Sequence, residues 1–129
     1  MVKVKEIMSK HPVEIHAGKT IREAVSIMTE KKLGSLLVTR NSKIVGLIEE
    51  GDIIRKVMAN DLNPYVAKVE SGMSVPLMID QENTDDEASE MMRKEGGRHL
   101  AVSDGSQIIG IVSMQDLIRP VYAGKSFWG

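Results

Sequence analysis

Apolar positions along this chain recur in two registers, and the succession of registers occurs twice. Ile21, Ala24, Val25 and Met28 stand at i, i+3, i+4 and i+7, the buried face of a helix running from Thr20 to about Lys32. A matching helix runs from Thr84 to about Glu95. Each opens with a threonine and has a glutamate three places on, Thr20 with Glu23 and Thr84 with Glu87, the pattern of a capping box. Each ends near glycine, at Gly34 and at Gly96-Gly97. Short β-type runs flank the helices. "VEI" (13–15) and "LMI" (77–79) precede them; "SLLVT" then "KIVGLI", and "HLAVS" then "QIIGIV", follow them. The intervening "RNS" and "DGS" suit hairpin turns. A last helix carries Asp52 to Met58, and its counterpart begins near Asp116 and is expected to stop at Pro120.

The order is therefore β-α-β-β-α, twice, and the two halves superpose without gaps at a shift of 64 residues. Pro12 falls on Pro76, Ala24 on Ala88, Leu36 on Leu100, Gly46 on Gly110 and Asp52 on Asp116. Upstream of the prolines the shift becomes 65, which sets "MS" at 8–9 on "MS" at 73–74. An internal repeat of this length organises everything else. One unit of about 60 residues buries little apolar surface, so the expectation is an α/β (α+β) fold in which two repeats pack with pseudo-two-fold symmetry through their sheets. The division expected is 1–64 for the first repeat with its lead-in and linker, 65–120 for the second, and 121–129 for a C-terminal aromatic tail. The linker "ANDLNPY" (59–65) reads as a turn between halves.

Composition narrows the function. The chain has 129 residues, 42% hydrophobic and 27% charged, with 17 basic against 18 acidic residues and a net charge of −1. These are globular values, and no basic stripe suggests nucleic acid. No apolar run approaches the ~18 residues of a membrane span, and "MVKVKEIMSK" lacks the apolar stretch of a signal peptide. Zero cysteines removes disulfides and thiolate sites. A cytoplasmic location is expected. The aromatics are few (Tyr65, Tyr122, Phe127 and Trp128), so the core is built from aliphatics and the nine methionines.

The phrases "GLIEEGDII" (46–54) and "GIVSMQDLI" (110–118), each after a strand-turn-strand, together with "RHLAV" (98–102), resemble those of a tandem CBS-domain pair, or Bateman module. "EEGDIIRKV" is also similar to the "TERD-x-x-RKV" signature of stand-alone CBS-pair proteins. The resemblance spans about Val2 to Pro120. It implies a non-catalytic sensor that binds adenosine-containing ligands (AMP, ADP, ATP, NAD or S-adenosylmethionine) in two clefts, pairs into a disc-like homodimer, and acts in trans on a regulated protein yet to be identified. In the family motif the aspartate holds the ribose hydroxyls and the Ser or Thr three residues earlier helps hold a phosphate. That carries onto Asp116 and Ser113, with Arg98 in reach of the phosphate. The opposing wall would come from His11, Val13 and His16 and from Gly34, Ser35 and Leu36. A second, weaker cleft would use Asp52, Glu49, His99 and Leu100.

Elementary chemistry supports these assignments. A carboxylate accepts two hydrogen bonds from a vicinal diol, and a serine beside unpaired helix-start amides suits a phosphate. Gly34, without a Cβ, would let a flat base lie near the backbone. Copy one departs from the pattern: Glu49 stands in the Ser/Thr place and Gly51 replaces the usual arginine. A carboxylate facing a phosphate costs several kcal/mol when desolvated at an effective dielectric of ~20. The Asp116 site is therefore expected to take nucleotide, and the Asp52 site to stay empty, to take a phosphate-free adenosyl group, or to need a metal ion.

Plainer roles stand beside these. Asp52 and Asp116 are also good helix N-caps, and Arg98 and His99 suit a solvated and a packed side chain. Three scattered histidines without cysteine make no metal site. Phe127 and Trp128 lie beyond the second repeat and are expected to dock within the chain or at a dimer interface. An alternative function is a homodimeric interaction scaffold with vestigial ligand clefts. An enzyme is not expected, since no nucleophile-base-orienter set, phosphate loop or dinucleotide loop is present.

Overall fold

A computed structural model describes residues 1–122, with side chains through residue 118. The elements are α1 (Val4–Ile7), β1 (Ser9–Lys10), β2 (Glu14–His16), α2 (Ile21–Lys31), β3 (Ser35–Arg40), β4 (Lys43–Glu49), α3 (Glu50–Asp52), β5 (Met78–Asp80), α4 (Asp85–Glu95), β6 (His99–Ser103), β7 (Ile108–Ser113) and α5 (Met114–Tyr122). A π-helical segment, Ile53–Met58, continues α3, and a 3₁₀ turn spans Val69–Ser71. The mixed α/β class and the repeated order are those read from the sequence.

The caps form as the sequence dictates. Thr20 Oγ1 accepts from Glu23 N–H at 3.1 Å, and Glu23 Oε2 accepts from Thr20 N–H at 3.1 Å. Thr84 and Glu87 repeat the exchange at 3.2 and 2.9 Å. The hairpin between β3 and β4 closes through Asn41 and Ser42, both left-handed, which matches the twist of the paired strands. α2 ends where expected but without a glycine cap, and α5 runs past its expected end. α2 ends one turn before Gly34, on Lys32 in the left-handed region, and only α4 uses a glycine, Gly96, at that place. α5 runs on through Pro120 to Tyr122, so that proline removes one backbone donor from the helix without ending it.

The chain divides into two compact units, residues 13–76 and residues 1–12 with 77 onward. The first contains the three-stranded sheet β2-β3-β4. Its core gathers Ile21, Ala24 and Met28 of α2, Leu36 and Val38 of β3, Ile48 of β4, Val57, and Val69. The second contains the four-stranded sheet β1-β7-β6-β5, with Val4, Ile79, Ala88, Met92, Leu100, Val102 and Val112 in its core.

The repeat division at 64/65 therefore does not coincide with the compact units, whose boundaries fall at the two prolines. The segment before each proline packs with the other copy. Ser9 pairs with Ile111 in β7, and Ser74 pairs with Leu47 in β4, whose N–H and C=O exchange 2.9 Å hydrogen bonds with it. Val4 and Val69, set together by the 65-residue shift, are each fully buried in the core of the copy they join. The linker docks on copy one as well: the carbonyls of Ala67 and Pro64 each accept at 2.9 Å, from Ile21 and Arg22, two of the unpaired amides that open α2. Phe127 and Trp128, and the docking expected of them, lie outside the described residues.

Candidate functional site

In each copy a hairpin strand delivers a short motif to the head of the last helix. In copy two, His99 opposes Ser113 across β6 and β7, and Met114, the first residue of α5, donates its N–H to Arg98 O at 2.9 Å. In copy one, Ser35 opposes Glu49, and Glu50 N–H meets Gly34 O at 3.1 Å. The strand pairing thus fixes Arg98, Ser113 and Asp116 in one turn of structure, and Gly34, Glu49 and Asp52 in its counterpart.

The aspartates sit three residues inside the helices, so neither is the N-cap. The cap positions are Glu49 and Ser113. Asp116 Oδ2 accepts from Ser113 N–H at 2.9 Å, and Ser113 Oγ accepts from Asp116 N–H at 3.2 Å. This reciprocal box leaves Ser113 with its hydroxyl hydrogen to donate. Among the described residues Asp116 Oδ1 accepts nothing, and the exposed Arg98 forms no ion pair.

Asp52 is differently placed. It is 8% exposed, and its Oδ2 accepts from Glu49 N–H at 2.9 Å. Its Oδ1 accepts from Ser74 Oγ at 3.1 Å and lies 3.4 Å from Lys56 Nζ. Lys56 Nζ also donates to Ser74 Oγ at 2.6 Å and to Met73 O at 3.1 Å. Sequence reasoning passed over both partners, although Asp52 and Lys56 stand at the i, i+4 spacing of a helical ion pair. It also passed over Arg55, whose guanidinium lies over Gly51; a Cβ there would be 2.5 Å from its terminal nitrogen. A basic group is therefore present near the start of this helix, on a different residue from the one the motif leads one to expect.

The remaining candidates spread over both units. Val13 is half-buried against the copy-one core, and its carbonyl accepts from Leu37 N–H at 3.1 Å. His16 is exposed, and its Nδ1 accepts from Gly18 N–H at 2.9 Å. His11 is exposed, with a left-handed backbone at φ 55°, and belongs to the other unit. Ser35 is buried in β3. Leu36 and Leu100 are fully buried core residues, so what each has to offer a ligand is backbone, not side chain. No group of three or more metal-ligating side chains occurs among the described residues.

Comparison with known proteins bears on the family and the fold. The CBS-domain family model matches the chain twice, at residues 4–59 and 66–122. An arabinose 5-phosphate isomerase, KdsD, from Francisella tularensis is 34% identical over 123 residues, which is 92% of this chain and 37% of that protein. An uncharacterised 17.7 kDa protein from Acidianus ambivalens is 34% identical over 119 residues, 91% of this chain and 71% of its own length. Among solved structures, a protein with CBS domains from Burkholderia ambifaria superposes with a TM-score of 0.84 at 30% identity, covering 92% of this chain and 88% of that one. The hexameric CBS-CP12 protein of bloom-forming cyanobacteria gives a TM-score of 0.85 at 26% identity, covering 98% and 75%. No helix among the described residues is long and apolar enough to cross a membrane.

Proposed function

The chain belongs to the CBS-domain family, and we propose that it is a non-catalytic regulatory module that binds an adenosine-containing ligand through the Ser113-Asp116 turn. The observation that carries this reading is the state of that turn. One Asp116 oxygen is held by the helix cap, while the other accepts nothing among the described residues. A ribose diol needs such an acceptor. The hydroxyl hydrogen of Ser113 lies at the first turn of α5, and Arg98, whose carbonyl accepts from Met114 N–H at 2.9 Å, carries an exposed guanidinium that can supply donors and positive charge to a phosphate there. The ligand class is AMP, ADP, ATP, NAD or S-adenosylmethionine, and its occupancy acts on a partner protein in trans.

A thermal-shift panel of these five ligands tests the proposal. At least one should raise the melting temperature of the wild type in proportion to the logarithm of its concentration, and the shift should vanish in Asp116→Ala. A flat response to all five at millimolar concentration would instead favour the scaffold function. Self-association belongs to either reading. Ile54 and Met58 in copy one, and Met114 and Ile118 in copy two, are exposed apolar pairs at i, i+4 spacing. A relative is hexameric. The partner proposed for these faces is a second copy of the chain, and sedimentation of Ile54→Glu against wild type should show dissociation.

A further inference from the structure

We infer that Lys56 is the residue that closes copy one to a ribosyl ligand, making two nearly identical motifs unequal; this rests on the ribose-binding role proposed for Asp116. An ammonium only donates, so Lys56 donates in its 2.6 Å contact with Ser74 Oγ. The single hydrogen of Ser74 is then left for Asp52 Oδ1, at 3.1 Å. The result is a directed relay, from Lys56 through Ser74 to Asp52, with Lys56 itself 3.4 Å from the same carboxylate oxygen and anchored by Met73 O at 3.1 Å. The other oxygen, Oδ2, is held by Glu49 N–H at 2.9 Å. Both carboxylate oxygens are thus engaged, and a diol would have to compete with Ser74 and Lys56 for Oδ1.

Copy two has no such relay among the described residues. Asp116 has the same bond to its cap residue, at 2.9 Å. Ser9 stands where copy one has Ser74, in the same "MS" pair, and it makes no bond to Asp116 among the described residues. The copies differ, among other positions, at the residue four places after the aspartate: Lys56 in one copy and Pro120 in the other. Proline has no side-chain donor with which to start the relay. Glu49 disfavours a phosphate in copy one, whereas Lys56 disfavours the sugar, so the two act on different parts of the same ligand.

Calorimetric titration of the full chain with AMP and with adenosine tests the inference. The wild type should bind one equivalent of AMP, and no more than one of adenosine. Lys56→Met, which keeps the length of the stem and removes the donor, should bind a second equivalent of adenosine. Ser74→Ala, which breaks the relay without touching the helix, should do the same more weakly. Lys56→Arg retains donors and should stay at one. No more adenosine bound by Lys56→Met and Ser74→Ala than by the wild type, each variant keeping a native unfolding transition, overturns the inference, as do two equivalents in the wild type. If the wild type binds neither compound while Lys56→Met binds one equivalent of adenosine, the Asp116 assignment fails and the Lys56 inference survives. Binding by none of the proteins overturns both.

Discussion

Single positions show how two copies of one motif came to differ. Lys32 and Gly96 both end their helices in the left-handed region, at φ 56° and 79°, but only glycine adopts it without a Cβ penalty. Lys32→Gly should therefore stabilise the protein by about 0.5–1 kcal/mol, read as a higher denaturation midpoint at unchanged slope. The strand glycines Gly46 and Gly110 have the same reason for being small. A Cβ at 46 would lie 2.5 Å from Met73 Sδ, and one at 110 would lie 2.6 Å from Met8 Sδ. At 110 it would also lie 2.8 Å from the backbone oxygen of Ser9, which a side-chain rotation cannot relieve. Gly110→Ala should cost roughly 1–3 kcal/mol and Gly46→Ala distinctly less, measured by urea unfolding. Both glycines were visible in the sequence as shared positions. Their cause was not, because the methionine that crowds each one comes from a segment assigned to the other repeat.

At the scale of elements, local chemistry was legible and tertiary partnership was not. The capping boxes and hairpins each depend on residues within a few places of one another, and they form where the spacing put them. The lead-in segments depend on distant partners. "VKVKEIMS" shows no strong period, and only the change of shift from 64 to 65 at the prolines signalled that these segments are counterparts. α1 is fastened to the copy-two unit by backbone bonds from Val4 N to Asn83 O (2.8 Å) and from Lys5 N to Gln81 O (3.1 Å), and by Lys3 and Lys5 bonding Glu82 at 2.7 and 2.8 Å. The hydrogen bond from Lys3, then that from Lys5, lowers the Glu82 carboxyl to about 2 from an ordinary 4.5. A depressed folded-state value contributes stability above the unfolded value and loses it as pH falls through the folded one. Acidification from pH 4.5 towards 2 should therefore lower the protection factors of the Val4 and Lys5 amides, exchange being taken relative to its intrinsic rate at each pH, and Glu82→Gln should flatten that pH dependence. The π-helical run Ile53–Met58 was not legible either, since the apolar spacing there suits an α-helix equally well.

For the whole molecule, the repeat is a unit of sequence, and the compact unit borrows its first segment from elsewhere in the chain. Residues 1–12 complete the copy-two unit and residues 65–76 complete the copy-one unit. Val4 is fully buried beside Leu100, Val102 and Val112. Val4→Ala should cost about 2 kcal/mol and accelerate hydrogen exchange in β6 and β7 before β3 and β4; the reverse order would contradict the assignment. The site shows the same division of legibility. The family motif placed Asp116, Ser113 and Arg98 at the head of one helix, and the strand register brings their backbones together. It gave Asp52 a parallel role, which Lys56 and Ser74 complicate, because the relay joins residues 18 and 22 places apart in the chain. The most direct test of the account is a calorimetric titration with AMP of the wild type, Asp116→Ala and Asp52→Ala. The wild type should bind one equivalent, lost in Asp116→Ala and kept in Asp52→Ala. Two equivalent sites in the wild type, or binding unchanged by Asp116→Ala, would contradict it.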